Sequence, residues 1–153
     1  MRGCFSKDMY LVAAQTGGPE DALTTAEYPA SASFVDVTGY EWVNIIVHLG
    51  AINASDTPTF KIQQSDSISG TMDTIDTVYC KKVAAHTDDD QALMFYLETS
   101  QLDADHHFIT VDVSGVANAT YGDIIYLLGG ARDRPVTQST TLVPTDNQFI
   151  KAG

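Results

Sequence analysis

The sequence predicts an all-β fold, a single-domain antiparallel β-sandwich or barrel with extended N- and C-terminal segments. Three observations support this prediction. Short stretches alternate between apolar and polar side chains, clusters of turn-forming residues separate them, and no stretch keeps a helical period. A length of 153 residues fits one domain. We assign residues 1–136 to the sandwich with its N-terminal arm, and residues 137–153 to a polar C-terminal tail.

The N-terminal part contains two predicted strands with a loop between them. Residues 9–14 are an apolar run that stops at a Gly-Gly-Pro turn signal. Residues 17–33 are rich in Gly, Pro, Ala, Ser and Thr without a sustained period, which predicts a surface loop. Residues 34–38 alternate and end in a turn.

The clearest strand covers residues 41–50, and a second one follows at 58–65. Alternation places two sets of side chains of the first strand on opposite faces. One face carries Val43, Ile45, Val47 and Leu49, and the other carries Trp42, Asn44, Ile46 and His48. Because a turn cluster lies between the two strands, we expect them to pair as a hairpin.

Three further strands are predicted at residues 92–98, 107–114 and 121–129. We expect the inner face of the second of these to be His107, Ile109, Val111 and Val113. The predicted core consists of Val43, Ile45, Val47, Phe60, Ile62, Leu93, Phe95, Ile109, Val111, Ile124 and Leu128.

The charge of the chain limits its partners. Lys and Arg number 8 against 20 Asp and Glu, so the net charge is -12. Such a charge opposes binding to nucleic acid or to an anionic membrane. No stretch approaches about 18 consecutive apolar residues, and we predict no membrane span and no signal peptide.

The candidate chemical sites favour a protein that is not an enzyme. Asp103-x-Asp105-His106-His107 contains metal-binding residue types, but adjacent His residues on a strand point to opposite faces. Asp88-Asp89-Asp90 lacks the other ligands of a calcium loop. No set of nucleophile, base and oxyanion donors can be assembled. We therefore predict no catalytic residue, no metal and no cofactor.

Two other features concern cysteine and a polar strand end. Cys4 and Cys80 lack the spacing of a metal site; each fits a buried thiol, and a disulfide between them stays open. The polar run 63–67, Gln-Gln-Ser-Asp-Ser, is expected to leave its strand and face water, where its amides and hydroxyls could bind a neighbouring protein.

The order of these segments resembles a family of head decoration proteins of tailed bacteriophages. The resemblance lies in the strand 43–52, VNIIVHLGAI, in the strand 60–66, FKIQQSD, with the turn SISGT after it, and in the later strand 106–115, HHFITVDVSG. The closing turn 128–135, LGGARDRP, completes it. His106-His107 stands where the family usually has a basic-aromatic pair.

The resemblance implies a virion protein that is made in the host cytoplasm, binds the major capsid protein on the outer face of the capsid and stabilises the shell. It also implies assembly as a homotrimer. Excess negative charge suits the outside of a capsid better than its DNA-filled interior.

Two sets of residues are predicted to make the contacts. Terminal segments are ordered only when something holds them, and apolar anchors in them can be supplied to a neighbour. The predicted capsid contacts are Arg2, Phe5, Lys7, Tyr10, Arg132 and Arg134. The predicted contacts between copies are Leu142, Val143, Phe149 and Ile150.

Two alternatives remain open from the sequence. One is a different virion part, such as a tail, adaptor or fibre-associated β-module. The other is a carbohydrate-binding adhesion sandwich, in which Trp42, Tyr40 and Tyr121 would stack on sugars, although core packing also accounts for these aromatic residues.

Overall fold

A computed structural model describes residues 9–13, 22–75 and 80–132 of the chain. In these residues the protein is a sandwich of two antiparallel sheets that are not closed into a barrel. Short 3-10 helices lie at His86–Asp88 and Thr99–Gln101, and no described residue is in an α-helix. The predicted fold class is confirmed, with the sandwich in place of the barrel.

The first sheet contains the longest strands. Its strands are β1 (Tyr10–Ala13), β2 (Ala22–Leu23), β5 (Trp42–Leu49), β9 (Ala92–Glu98) and β11 (Thr120–Gly129). Their order across the sheet is β1, β11, β5, β9, and β2 pairs with the far end of β11.

The second sheet is built around two strands of seven residues, β6 (Thr59–Ser65) and β10 (Phe108–Ser114). Its other strands are β3 (Ala26–Tyr28), β4 (Val35–Asp36), β7 (Asp73–Thr74) and β8 (Lys81–Val83). Their order across the sheet is β3, β10, β6, β7, with β4 paired to β10 and β8 paired to β6.

Each predicted strand corresponds to an observed one, but the predicted loop at 17–33 is wrong within its described part. Strands β2 and β3 lie there and pair with β11 and β10. Strands β7 and β8 were also not predicted. These four strands have two or three residues each, too few for a period to appear in the sequence.

The predicted hairpin of residues 41–50 and 58–65 is also wrong. Strand β5 pairs with β11 and β9, whereas β6 pairs with β10, β7 and β8 in the other sheet. The connection between them therefore crosses the sandwich. Both Ile52 and Pro58 are buried in this connection, which a simple turn between paired strands would have left at the surface.

The core lies between the two sheets and matches the predicted list except at Leu93, which is half-buried at its edge. His107, which was expected on the inner face of its strand, is exposed. Tyr126 is fully buried, and its hydroxyl donates a hydrogen bond to the carbonyl of Tyr28, which joins the two sheets. Burial raises the pKa of Tyr126 above its ordinary value.

Asp56 anchors the crossing connection to the loop before β11. Its carboxylate is 3% exposed and accepts hydrogen bonds from the backbone N–H groups of Ala117 and Asn118, at 3.2 and 3.1 Å. The side chains of Asn118 and Thr120 donate to it as well, at 3.0 and 2.9 Å. Burial alone would raise the pKa of this carboxyl, but the hydrogen bonds outweigh it and hold the pKa below its ordinary value.

Replacing Asp56 with asparagine should lower the thermal midpoint at neutral pH. The amide nitrogen of the new side chain cannot accept from these donors, so some of them lose their partner. Since the folded-state pKa is depressed, the stabilisation is present above the unfolded-state pKa and is lost as the pH falls through the folded-state value. The difference in midpoint between wild type and variant should therefore shrink below about pH 4. A difference independent of pH would contradict this assignment.

Candidate functional site

The outward side of the first sheet is unusually apolar, and we call it the apolar face. Its central residues form two rows across the sheet. Ile125, Ile46 and Met94 lie opposite one another in one row, and Leu127, Asn44 and Tyr96 do so in the next. Met94 is 64% exposed and Tyr96 is 56% exposed, while Ile46, Ile125 and Leu127 are half-buried.

The strand sequences explain this face. A strand with one face in water alternates between apolar and polar residues, whereas a strand covered on both faces is apolar throughout. Residues 124–128 read Ile-Ile-Tyr-Leu-Leu, and residues 93–97 read Leu-Met-Phe-Tyr-Leu. These strands have the composition of a sheet that is covered on both sides.

The outward side of the second sheet is polar by contrast. Strand β6 presents Thr59, Lys61 and Gln63, and β10 presents Asp112 and Ser114. Phe108 of β10, half-buried, and Val83 of β8, 60% exposed, lie on the same side, so the face is mainly polar. The Lys61 ammonium donates to the Thr74 hydroxyl at 2.8 Å. This face suits contact with water, so the two outer surfaces of the sandwich differ in kind.

A cleft lies at one end of the apolar face, and we call it the end cleft. It has a volume of about 420 Å³ and is lined by Tyr40, Glu41, Trp42, Tyr96, Glu98, Thr99, Ser100 and Arg132. The rings of Trp42 and Tyr96 are 6.4 Å apart between centroids and are inclined by 32°. Tyr96 comes from β9 and Trp42 from the start of β5, two strands that are neighbours in the sheet.

The floor of the end cleft is held by hydrogen bonds to backbone carbonyls. The Thr99 hydroxyl donates to the carbonyl of Tyr40 at 2.8 Å, and the Thr99 N–H donates to the carbonyl of Glu41 at 3.0 Å. The Arg132 N–H donates to the carbonyl of Gly39 at 2.9 Å. These hydrogen bonds hold the backbone segments that line the cleft next to one another.

Of the predicted capsid contacts, Tyr10 and Arg132 lie in the described part. Tyr10 packs against the core, and its ring centroid is 6.4 Å from that of Tyr40. Arg132 is exposed at the rim of the end cleft. The other predicted contacts lie outside the described residues: Arg2, Phe5, Lys7, Arg134, Leu142, Val143, Phe149 and Ile150.

The aromatic residues proposed for sugar stacking are only partly brought together. Tyr40 and Trp42 share the end cleft, but Tyr121 lies at the opposite end of the sheet, paired with Ala22. Tyr96, which the sequence analysis did not single out, completes the aromatic pair. In the predicted strand 92–98, Tyr96 alternates with Phe95 and Leu97, so its side chain points outward. This alternation is the one signal that could have identified it.

The polar run at 63–67 faces water only in part: Asp66 and Ser67 are exposed as predicted, whereas Gln64 and Ser65 are buried. Gln64 is 1% exposed and Ser65 is fully buried. The Gln64 amide donates to the Asp103 carboxylate at 2.7 Å and accepts from the Asp103 N–H at 2.9 Å. Parity with Phe60 and Ile62 would have placed Gln64 inward, and Asp103 satisfies its buried amide.

The acidic and histidine cluster is divided among separate contacts. Asp103 binds Gln64, while His106 lies 3.3 Å from the carboxylate of Asp73. A hydrogen bond to the carbonyl of Ala104, followed by the contact with Asp73, raises the pKa of His106. Among the described residues, no three His, Cys, Asp or Glu side chains are grouped to hold a metal ion.

One of the two cysteines lies in the described part of the chain. Cys80 is buried, and burial raises the pKa of its thiol, while Cys4 lies outside the described residues.

Across residues 9–13, 22–75 and 80–132, no helix has the length and apolar character needed to span a membrane.

The chain was compared with family models, with curated proteins and with solved structures, and no match was found.

Proposed function

We propose that this protein is a structural component of a tailed-phage virion, a decoration protein that binds the outer surface of the capsid and stabilises the shell. The observation that carries the proposal is the difference between the two outer surfaces of the sandwich. One is polar and suited to water, and the other is apolar with Met94 and Tyr96 largely exposed. Exposed apolar patches of this kind mark sites of protein association.

The apolar face is suited to docking on another folded protein. Its strands already pair within the sheet, so the surface is rigid and little conformational entropy is lost on binding. Met94 offers a flexible apolar side chain, and Tyr96 an aromatic anchor of the type enriched in interfaces. The proposed partner of this face is the major capsid protein.

The N-terminal arm is proposed to act beside this face. Strand β1, which follows the arm, is an edge strand of the same sheet and pairs with β11. Residues 1–8 precede this strand in the sequence, and they contain Arg2 and Lys7 among the 8 basic residues of the chain. The tail from 137, with its apolar residues at 142–143 and 149–150, is proposed to join copies in a homotrimer.

Replacing Met94 with aspartate should weaken binding to capsids that lack this protein by about ten-fold or more. The reason is that binding would bury the new carboxylate in an apolar contact without a partner. The measurement is co-sedimentation of purified protein with emptied, tail-less heads. Val83→Asp is the matched control, because Val83 is 60% exposed on β8 in the other sheet. Its binding should equal that of wild type, and equal binding by both variants would contradict the docking face.

Deleting residues 1–7 should abolish binding to the same heads and leave the thermal midpoint of the sandwich nearly unchanged. The deletion removes two cationic side chains and Phe5 but none of the described strands. Full binding by the truncated protein would rule out the arm as a capsid contact. Wild-type protein that binds isolated tails but not heads would replace the proposal with a tail or adaptor module.

A further inference from the structure

The ring of Trp42 lies over a glycine of the neighbouring strand, and the absence of a side chain there makes this arrangement possible. Trp42 is paired with Gly129 across the strands, and a Cβ atom added at Gly129 would lie 2.1 Å from the ring. The indole therefore covers the β11 backbone at Gly129, while Trp42 stays partly exposed. Tyr96 is the diagonal neighbour on β9, and more than half of its surface is exposed.

Polar groups surround these two rings. Glu41, Glu98 and Arg132 are exposed at the end cleft and form no ion pair with one another or with any other described residue. Ser100 adds a hydroxyl, and Gln101 lies on the far side of Tyr96. Carboxylates accept hydrogen bonds from hydroxyl groups, a guanidinium donates hydrogen bonds to them, and an amide can do both.

The surface is also longer than one small molecule. Tyr96 and Glu98 line both the end cleft and a second depression of about 460 Å³, which continues along β9 past Met94. An elongated ligand could therefore contact Trp42 at one end and Gln101 beyond Tyr96.

We propose that the end cleft binds a neutral oligosaccharide. A sugar ring has an apolar C–H face that stacks on an aromatic ring, and a rim of hydroxyls that require hydrogen-bonding partners; the cleft offers both side by side. With two glutamates and Arg132 in the end cleft and Lys82 in the adjoining depression, the lining has no excess of positive charge. On a chain of net charge -12, this favours an uncharged sugar over a polyanionic one. The site shares Tyr96 with the apolar face, but the sugar would bind the free protein without the shell, and this binding goes beyond the function proposed above.

The single tryptophan of the chain makes the test direct, since Trp42 is the only indole that can report on binding. Purified full-length protein is titrated with cellopentaose, chitopentaose and maltopentaose while tryptophan fluorescence is followed. We expect a saturable change with at least one of the three, with a dissociation constant at or below about 1 mM. No saturable change with any of them would overturn the proposal.

Variants separate sugar binding from a purely structural role of the aromatic pair. Tyr96→Ala should weaken binding about ten-fold or more, and Glu98→Gln should also weaken it. Tyr121→Ala is the control, because Tyr121 is an exposed tyrosine at the opposite end of the same sheet. The proposal fails if Tyr96→Ala, with an unchanged circular dichroism spectrum, binds as tightly as wild type. It fails equally if Tyr121→Ala has the same effect as Tyr96→Ala.

Discussion

Replacing Ile45 with alanine should lower the free energy of unfolding by about 2–5 kcal/mol. Ile45 is fully buried in the middle of β5, between Tyr126 on β11 and Phe95 on β9. Truncation removes its apolar contacts and leaves a cavity that neighbours fixed in a sheet fill only in part. Chemical denaturation followed by circular dichroism measures the loss.

The adjacent residue provides a matched control. Ile46→Ala makes the same chemical change one position along the same strand, but Ile46 points outward and is half-buried. Its expected cost is about 1 kcal/mol or less. Equal losses at Ile45 and Ile46 would contradict the assignment of the two faces, and an unchanged denaturation midpoint for Ile45→Ala would place Ile45 outside the core.

Replacing Gly115 with alanine is the second large effect that we expect, a loss of about 2–5 kcal/mol. Gly115 follows β10 with a φ of +74°, in the left-handed region that disfavours L side chains. A Cβ atom there would also lie 2.4 Å from the backbone carbonyl oxygen of Thr57. The N–H of Thr57 donates to the carbonyl of Gly115 at 3.1 Å, so the two segments cannot separate without losing this bond.

Gly39 separates the two contributions to this loss. Its φ of +83° is similar, but an added Cβ atom would meet nothing within 4 Å. Gly39→Ala should therefore cost only the backbone term, about 1–2 kcal/mol. Equal thermal or chemical destabilisation by the two substitutions would show that the contact with Thr57 is not tight.

Sequence periodicity predicted the long strands because most buried positions along a strand carry an apolar side chain, and this alternation can be read from the sequence. In β5 every second side chain is fully buried, from Val43 to Leu49, and such alternation is visible without any partner strand. Partner choice is different, since the turn chemistry of residues 53–58 permits either a hairpin or a crossing to the other sheet. The buried carboxylate of Asp56 stabilises the crossing through a loop some 60 residues away, which no local pattern indicates.

Buried polar residues explain the other errors of prediction. Composition placed Gln64 in water, although its parity on β6 is that of Phe60 and Ile62. Its burial depends on Asp103, a partner that only the folded chain supplies. The apolar face, in contrast, could have been predicted, because Tyr96 and Ile125 each lie between two buried apolar residues of the same strand. The end cleft could not, since it combines residues from three separate segments.

The most direct test of the central claim is the oxidation rate of Met94 in free protein and in protein bound to heads. The claim is that the apolar face, not the polar one, contacts the shell. We predict that binding to heads protects Met94, 64% exposed in the free protein, from hydroxyl-radical oxidation several-fold. Tyr96 should be protected with it, while Ile68, 47% exposed at the turn after β6, should keep its rate. Unchanged oxidation of Met94 on saturated heads, or protection of Ile68 in its place, would contradict the account.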